Sequence, residues 1–220
     1  MTPRSLSLLG LLALGTVLSA GAEAAACTSA LHQAFASSSD AAALPAPCRR
    51  IGLVELGMSK QQVQAALGQP DALRTDDAHP DTSSAVYLYP PGFNAQLARK
   101  PLAADRLDYS QLGLRFRNGK VVNIVAFANP KAPFPFQLLA PAADADADSV
   151  LKRIGGQPQW NASRDYVQFA AMPIGLNVDP DTSRIVGLDI ADSKQDLDAF
   201  ALPALHLSKD AGSGLVGGVR

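Results

Sequence analysis

Three histidines, two cysteines and a short run of alternating aspartates are the residues here whose chemistry suits a metal or a covalent reaction. His32, His79 and His206 are far apart, and no two stand at the i, i+4 spacing that lets imidazoles on one helix face share a zinc ion. Cys27 and Cys48 form no C-x-x-C pair, so a zinc site is not expected. Asp144, Asp146 and Asp148 imitate the first ligands of a calcium loop. Counting from Asp144, however, the position that requires glycine is Ser149, and the one that requires a bidentate glutamate is Gly155. These aspartates are read as a solvated linker in which Asp146 or Asp148 caps the next helix. Serines are plentiful, but none lies in a G-x-S-x-G context, and there is no H-E-x-x-H and no glycine-rich phosphate loop. The sequence therefore predicts a non-enzymatic protein with no cofactor and no metal. Hydrolase activity stays open as an alternative, because a catalytic triad need not be local in sequence.

Residues suited to binding are more prominent. The stretch PPGFNAQLARKPLAAD interrupts two expected strands and defines an insertion over residues 90–108. Long excursions in compact domains are either functional or merely mobile. Phe93 with Arg99, Lys100 and Arg106 supplies an aromatic anchor and cations, the composition of interface hot spots. A flexible loop with solvated charges is the competing reading. Tyr109 is expected to project from a free sheet face, and Trp160 to sit in the core or on a contact surface, with the core preferred. Lys and Arg total 19 against 20 Asp and Glu, a balance that argues against the positive field nucleic-acid binding requires.

The chain opens with Arg4, an apolar run over residues 6–18, and the small residues Ala22-Glu23-Ala24, the order of a secretory signal peptide. That run is shorter than the roughly 20 residues a membrane span needs and contains Gly10 and Gly15, so no transmembrane span is expected. Residues 1–26 are accordingly set apart from the fold, and the rest is read as exported. In an oxidising compartment Cys27 and Cys48 can pair, a bridge worth about 3 kcal/mol by loop entropy. A lipid anchor at Cys27 is the rival, since Ala24-Ala25-Ala26-Cys27 loosely resembles a lipobox. The stretch lacks leucine three residues before the cysteine and lies beyond the apolar run, so the bridge is preferred.

Local signals then place the elements. In LGMSKQQVQAALGQPD, Ser59 and Gln62 form a capping box, Met58 and Val63 a hydrophobic staple, Gly68 closes the helix and Pro70 forbids its continuation. So short a helix is not stable alone and must dock through Val63, Ala66 and Leu67. An earlier helix is expected over residues 28–37, with Leu31, Ala34 and Phe35 on one side. Strands are expected over 85–89 and from 107–109. LGLRFR and KVVNIVAF flank Asn118-Gly119, a strong hairpin signal. Leu112, Leu114 and Phe116 share one face of it with Val122, Ile124 and Ala126.

The later sequence repeats this order. Val63-Gln-Ala-Ala-Leu67-Gly68-Gln69-Pro70 has a counterpart in Val150-Leu-Lys-Arg-Ile154-Gly155-Gly156-Gln157-Pro158, with one extra glycine. The strand holding Tyr87 corresponds to Tyr166-Val-Gln-Phe169, Leu112-Gly113-Leu114 to Ile174-Gly175-Leu176, and Lys120-Val121-Val122 to Arg184-Ile185-Val186. Three blocks matched in one order predict a tandem duplication. The fold class is thus α+β, in two tandem units, each with short helices packed on one face of a small antiparallel β-sheet. Residues 27–130 form the first unit, 131–192 a second and shorter one, and 193–220 a flexible tail ending AGSGLVGGVR.

The string VELGMSKQQVQAALGQPD, followed by a Tyr-containing strand and the Asn-Gly-Lys-Val-Val hairpin, resembles the SmpA/OmlA family of outer-membrane lipoproteins. Duplicated in tandem, the module is similar to the β-lactamase inhibitory protein fold. The resemblance implies helices on one sheet face with the other face free for a partner, binding rather than catalysis, and a periplasmic or outer-membrane-associated protein. The expected partner is another protein of the cell envelope. The alternative is a secreted hydrolase, such as a β-lactamase, protease or lysozyme, that the chain would inhibit.

Overall fold

The computed structural model describes residues 20–37, 43–91, 109–129, 131, 132, 135, 139 and 146–200. Helix α1 (Ala20–Ser37) starts well before residue 28 and runs through the boundary expected at residue 26. A 3₁₀ turn at Ala46–Cys48 follows, and Cys27 and Cys48 are disulfide-bonded, which leaves no thiol for a lipid anchor. A two-stranded ribbon, β1 (Arg50–Ile51) and β2 (Val54–Glu55), leads into α2 (Lys60–Leu67). The capping box is present there. Ser59 Oγ accepts the Gln62 N–H at 3.2 Å, and Gln62 Oε1 accepts the Ser59 N–H at 2.8 Å.

Four antiparallel strands come next: β3 (Ala72–Thr75), β4 (Thr82–Tyr89), β5 (Ser110–Arg117) and β6 (Lys120–Phe127). Helix α3 (Ala147–Ile154) precedes four more: β7 (Pro158–Trp160), β8 (Tyr166–Phe169), β9 (Met172–Asp179) and β10 (Arg184–Ala191). In place of two small sheets there is one eight-stranded sheet, ordered β3-β4-β5-β6-β10-β9-β8-β7. The join lies between β6 and β10, where Ile124 faces Ile190 and Ala126 faces Leu188. Both strands are almost wholly buried, so neither could remain an edge without exposing apolar surface. A last helix, α4 (Lys194–Phe200), occupies the segment expected to be a loose tail. It is held by Leu197, which is fully buried, and capped by Ser193, whose Oγ accepts the Asp196 N–H at 3.1 Å.

The helices α2 and α3 are attached alike. Ser59 and Asp146, their N-cap residues, form β-bridges to Lys120 and Arg184, the first residues of β6 and β10. The first helical N–H of each donates to the carbonyl just before that strand, Lys60 to Gly119 at 3.1 Å and Ala147 to Ser183 at 2.9 Å. Each helix closes on a left-handed glycine, Gly68 at φ 82° and Gly155 at φ 78°. The strands also bulge at matching places. Phe116 pairs with Val121 and Arg115 with Asn123, leaving Val122 over; Val178 pairs with Ile185 and Asn177 with Gly187, leaving Val186 over. The first bulge corrects the expected face: Val121, not Val122, shares the core side with Ile124 and Ala126, because an extra residue reverses the alternation.

One continuous core lies under α1, α2 and α3. It takes in Leu112, Leu114, Ile124, Ile174, Leu176 and Ile190 from the sheet with Leu31, Val63, Val150 and Ile154 from the helices. Helix α1 reaches the later strands, its Phe35 ring 4.9 Å from that of Phe169. The second of the paired glycines is there for this contact. A Cβ on Gly156 would stand 2.8 Å from Phe35 Cδ1.

Candidate functional site

Phe93, Arg99, Lys100 and Arg106 lie outside the described residues. Tyr109 is buried, 4 % exposed, in a small cluster with Leu88 and Val86 that is separate from the main core. It does not project from an open face, and burial raises its phenol pKa above the ordinary value. Trp160 sits partly buried against the main core on strand β7, with the Arg164 guanidinium carbon 5.0 Å from its ring centroid. Four strands separate β5, which Tyr109 precedes, from β7. At the usual strand spacing that is about 24 Å. These two aromatics are therefore not one binding patch.

The structure instead gathers polar groups on the sheet face opposite the main core, at strand centres. Asp189 of β10 is 3 % exposed. Its Oδ1 accepts a 2.7 Å hydrogen bond from Asn123 Nδ2 of β6, and its Oδ2 lies 3.5 Å from the Tyr166 hydroxyl of β8. Gly175 of β9 makes the last contact possible. It pairs with Asp189, and a side chain there would overlap the Tyr166 ring. One good hydrogen bond does not replace the water a carboxylate loses on burial, so desolvation pushes the Asp189 pKa up to about 7. Asn123, Tyr166 and Lys194 act in the opposite direction, and less strongly. The Tyr166 phenol is raised too, first by burial and then by the Asp189 and Asp198 charges. The group is thus a proton-holding acid flanked by an amide and a phenol.

Helix α4 lies on this face. It packs on β9, β10 and β6. Asp196 pairs with Arg117 of β5 and accepts a 2.6 Å hydrogen bond from Ser193 Oγ, while Lys194 Nζ donates to Gln168 Oε1 of β8 at 2.8 Å and pairs with Asp198. Sequence reading missed this group. A carboxylate between Leu188 and Ile190 in a run as apolar as IVGLDIA, and an asparagine in VVNIVAF, were the available signals.

The sheet's two edges differ. Strand β7 begins with Pro158, which has no N–H to offer. Strand β3 has no proline, and Leu73 on it is 65 % exposed. The Asp76 N–H donates to the Thr82 carbonyl. Counting back by twos along the pairing, Arg74 and Ala72 point their backbone groups toward β4, and Leu73 and Thr75 point theirs outward.

Among the described residues no group of three or more His, Cys, Asp or Glu side chains could hold a metal ion, and no helix is long and apolar enough to cross a membrane. No family model matches the chain, and no curated protein does. One similar solved structure is a cysteine-rich secretory protein of Staphylococcus aureus subsp. aureus Mu50, at TM-score 0.39 and 8 % identity over 64 % of this chain and 45 % of that one. Another is an extracellular SCP-domain protein of Bacillus anthracis str. Ames, at TM-score 0.34 and 17 % identity over 64 % of this chain and 45 % of that one. The chain thus spans less than half of either structure, and scores this low assign neither fold nor activity. The resemblance to SmpA/OmlA lipoproteins and to the β-lactamase inhibitory protein is corrected here: no family model and no curated protein matches, and the similar solved structures are a cysteine-rich secretory protein and an SCP-domain protein, neither of them a member of those groups. A capped helix before an Asn-Gly hairpin is dictated by local backbone chemistry, and so it recurs without kinship.

Proposed function

We propose that the chain is an exported, non-enzymatic protein-binding protein built from two tandem units, one from α2 to β6 and one from α3 to β10. The shared helix attachment and the matching bulges at Val122 and Val186 support the duplication, because independent evolution of both would require two coincidences. The apolar leader and the Cys27–Cys48 bridge support export. The partner is a protein met after export.

The observation that carries the binding reading is the open edge at β3. An exposed leucine beside outward-facing backbone groups is what an added strand requires. The 90–108 insertion joins β4, the strand next to β3, to β5. A Leu73→Pro variant removes one outward N–H and leaves the bonds to β4 intact. In a pull-down from secreted and envelope fractions, a specific protein is expected to be retained by the wild type and lost with this variant and with a deletion of residues 92–108. Recovery of nothing, or equal recovery by all three, would count against the reading. Circular dichroism establishes that both variants fold.

A further inference from the structure

We infer that α4 is a proton-controlled strap over the second sheet face, closed while the Asp189 carboxyl is neutral and released when it ionises. Helix α4 has seven residues, too few for helical stability of its own. Among its described side chains, Leu197, the Asp196–Arg117 pair and the Lys194–Gln168 hydrogen bond hold it to the sheet. Beneath it Asp189 is sealed from water with one short hydrogen bond, from Asn123.

The charges around Asp189 fix the sign. From α4 come Lys194, Asp196 and Asp198, from β5 Arg117, and from β8 Tyr166. Among the described residues Arg117 is paired with Asp196 and Lys194 with Asp198, Arg115 of β5 stands opposite Asn123 in the sheet, and Lys194 lowers the Asp189 pKa less strongly than burial raises it. Its neighbours from β6 and β9 are Asn123, Val125 and Gly175, all neutral. Beyond the end of β10, Asp192 is paired with Arg49 at 2.8 Å. Opening hydrates Asp189 and returns it to the ordinary carboxylate range, whereas closure holds it near 7. The opening equilibrium therefore rises by up to tenfold per pH unit from the carboxylate range to neutrality and levels off above it. Release would uncover Asp189, Asn123 and the β9–β10 surface.

Native-state hydrogen exchange at pH 5 and pH 7 under low denaturant tests this. The α4 amides are expected to exchange with a small denaturant slope, and their protection factors to fall at least tenfold from pH 5 to pH 7. Asp189→Asn should abolish that fall. Leu197→Ala should lower α4 protection at both pH values by the same factor, which establishes that the amides report strap opening. Protection that is equal at the two pH values, a fall that persists in Asp189→Asn, or α4 exchange with the full slope of the β5–β6 amides would each overturn the inference.

Discussion

Replacing Asp189 by asparagine keeps the shape of the side chain and removes its titration. The buried acid holds its proton up to about pH 7, whereas in the unfolded chain it ionises near the ordinary value of about 3.9. A folded-state pKa above the unfolded one gives a contribution that is complete below the unfolded value and is lost as pH rises through the folded value. Three pKa units correspond to about 4 kcal/mol in full, of which roughly 3 kcal/mol disappears between pH 5 and pH 8. Urea unfolding followed by circular dichroism at pH 5, 6, 7 and 8 is the assay. The wild type should lose stability relative to Asp189→Asn across that range, and the difference between the two curves isolates this one group. The lowered pKa values of Asp76 and Asp146 do not interfere, because both act below the ordinary carboxylate range and both are unchanged in the variant. Parallel curves over pH 5 to 8 would refute the reasoning, since they would mean that Asp189 is hydrated or already charged in the folded protein.

Three further outcomes follow from the packing. Ser59→Ala removes half of a capping box and should cost about 1 kcal/mol in thermal unfolding, with Asp146→Ala, which empties the equivalent cap on α3, costing a similar amount. Gly156→Ala places a methyl against the Phe35 ring at a φ of 76° and should cost at least roughly 1 kcal/mol, with part of the loss recovered in a double mutant with Phe35→Ala. Reduction of the Cys27–Cys48 bridge, or the Cys27→Ser/Cys48→Ser pair, should lower the stability to urea by about 3 kcal/mol, and a reductant should not affect the double variant.

Local chemistry was the legible part of the sequence. Ser59, Gln62 and Gly68 bracket α2 as their types require, Asp146 caps α3, and Asn118-Gly119 turns the β5–β6 hairpin. What was lost depended on contacts remote in sequence. Strand β3 is four residues long and mostly exposed, so it carries no alternation to read. The single sheet follows from β6 and β10 being apolar on both faces, a property that a hairpin considered alone assigns to one face only. Helix α4 is obscured in the sequence by the glycine-rich end that follows it, although Ser193-x-x-Asp196 is a legible cap and Leu197 a legible anchor. Asp189 is not legible because an acid on a strand ordinarily marks the watered side, whereas here helix α4 packs on that side and the acid is buried.

The dock of α1 is synthesised long after α1 itself. Phe169 and Gly156, on which Phe35 rests, lie more than a hundred residues downstream, and Ile154 belongs to the same core. Until the later strands have formed, the leading helix is held by the 46–48 turn and the Cys27–Cys48 bridge, and Phe35 has no native surface to settle on. Premature termination before the end of β8 would accordingly leave Phe35 without its seat, so that completeness of the far end is registered at the near one.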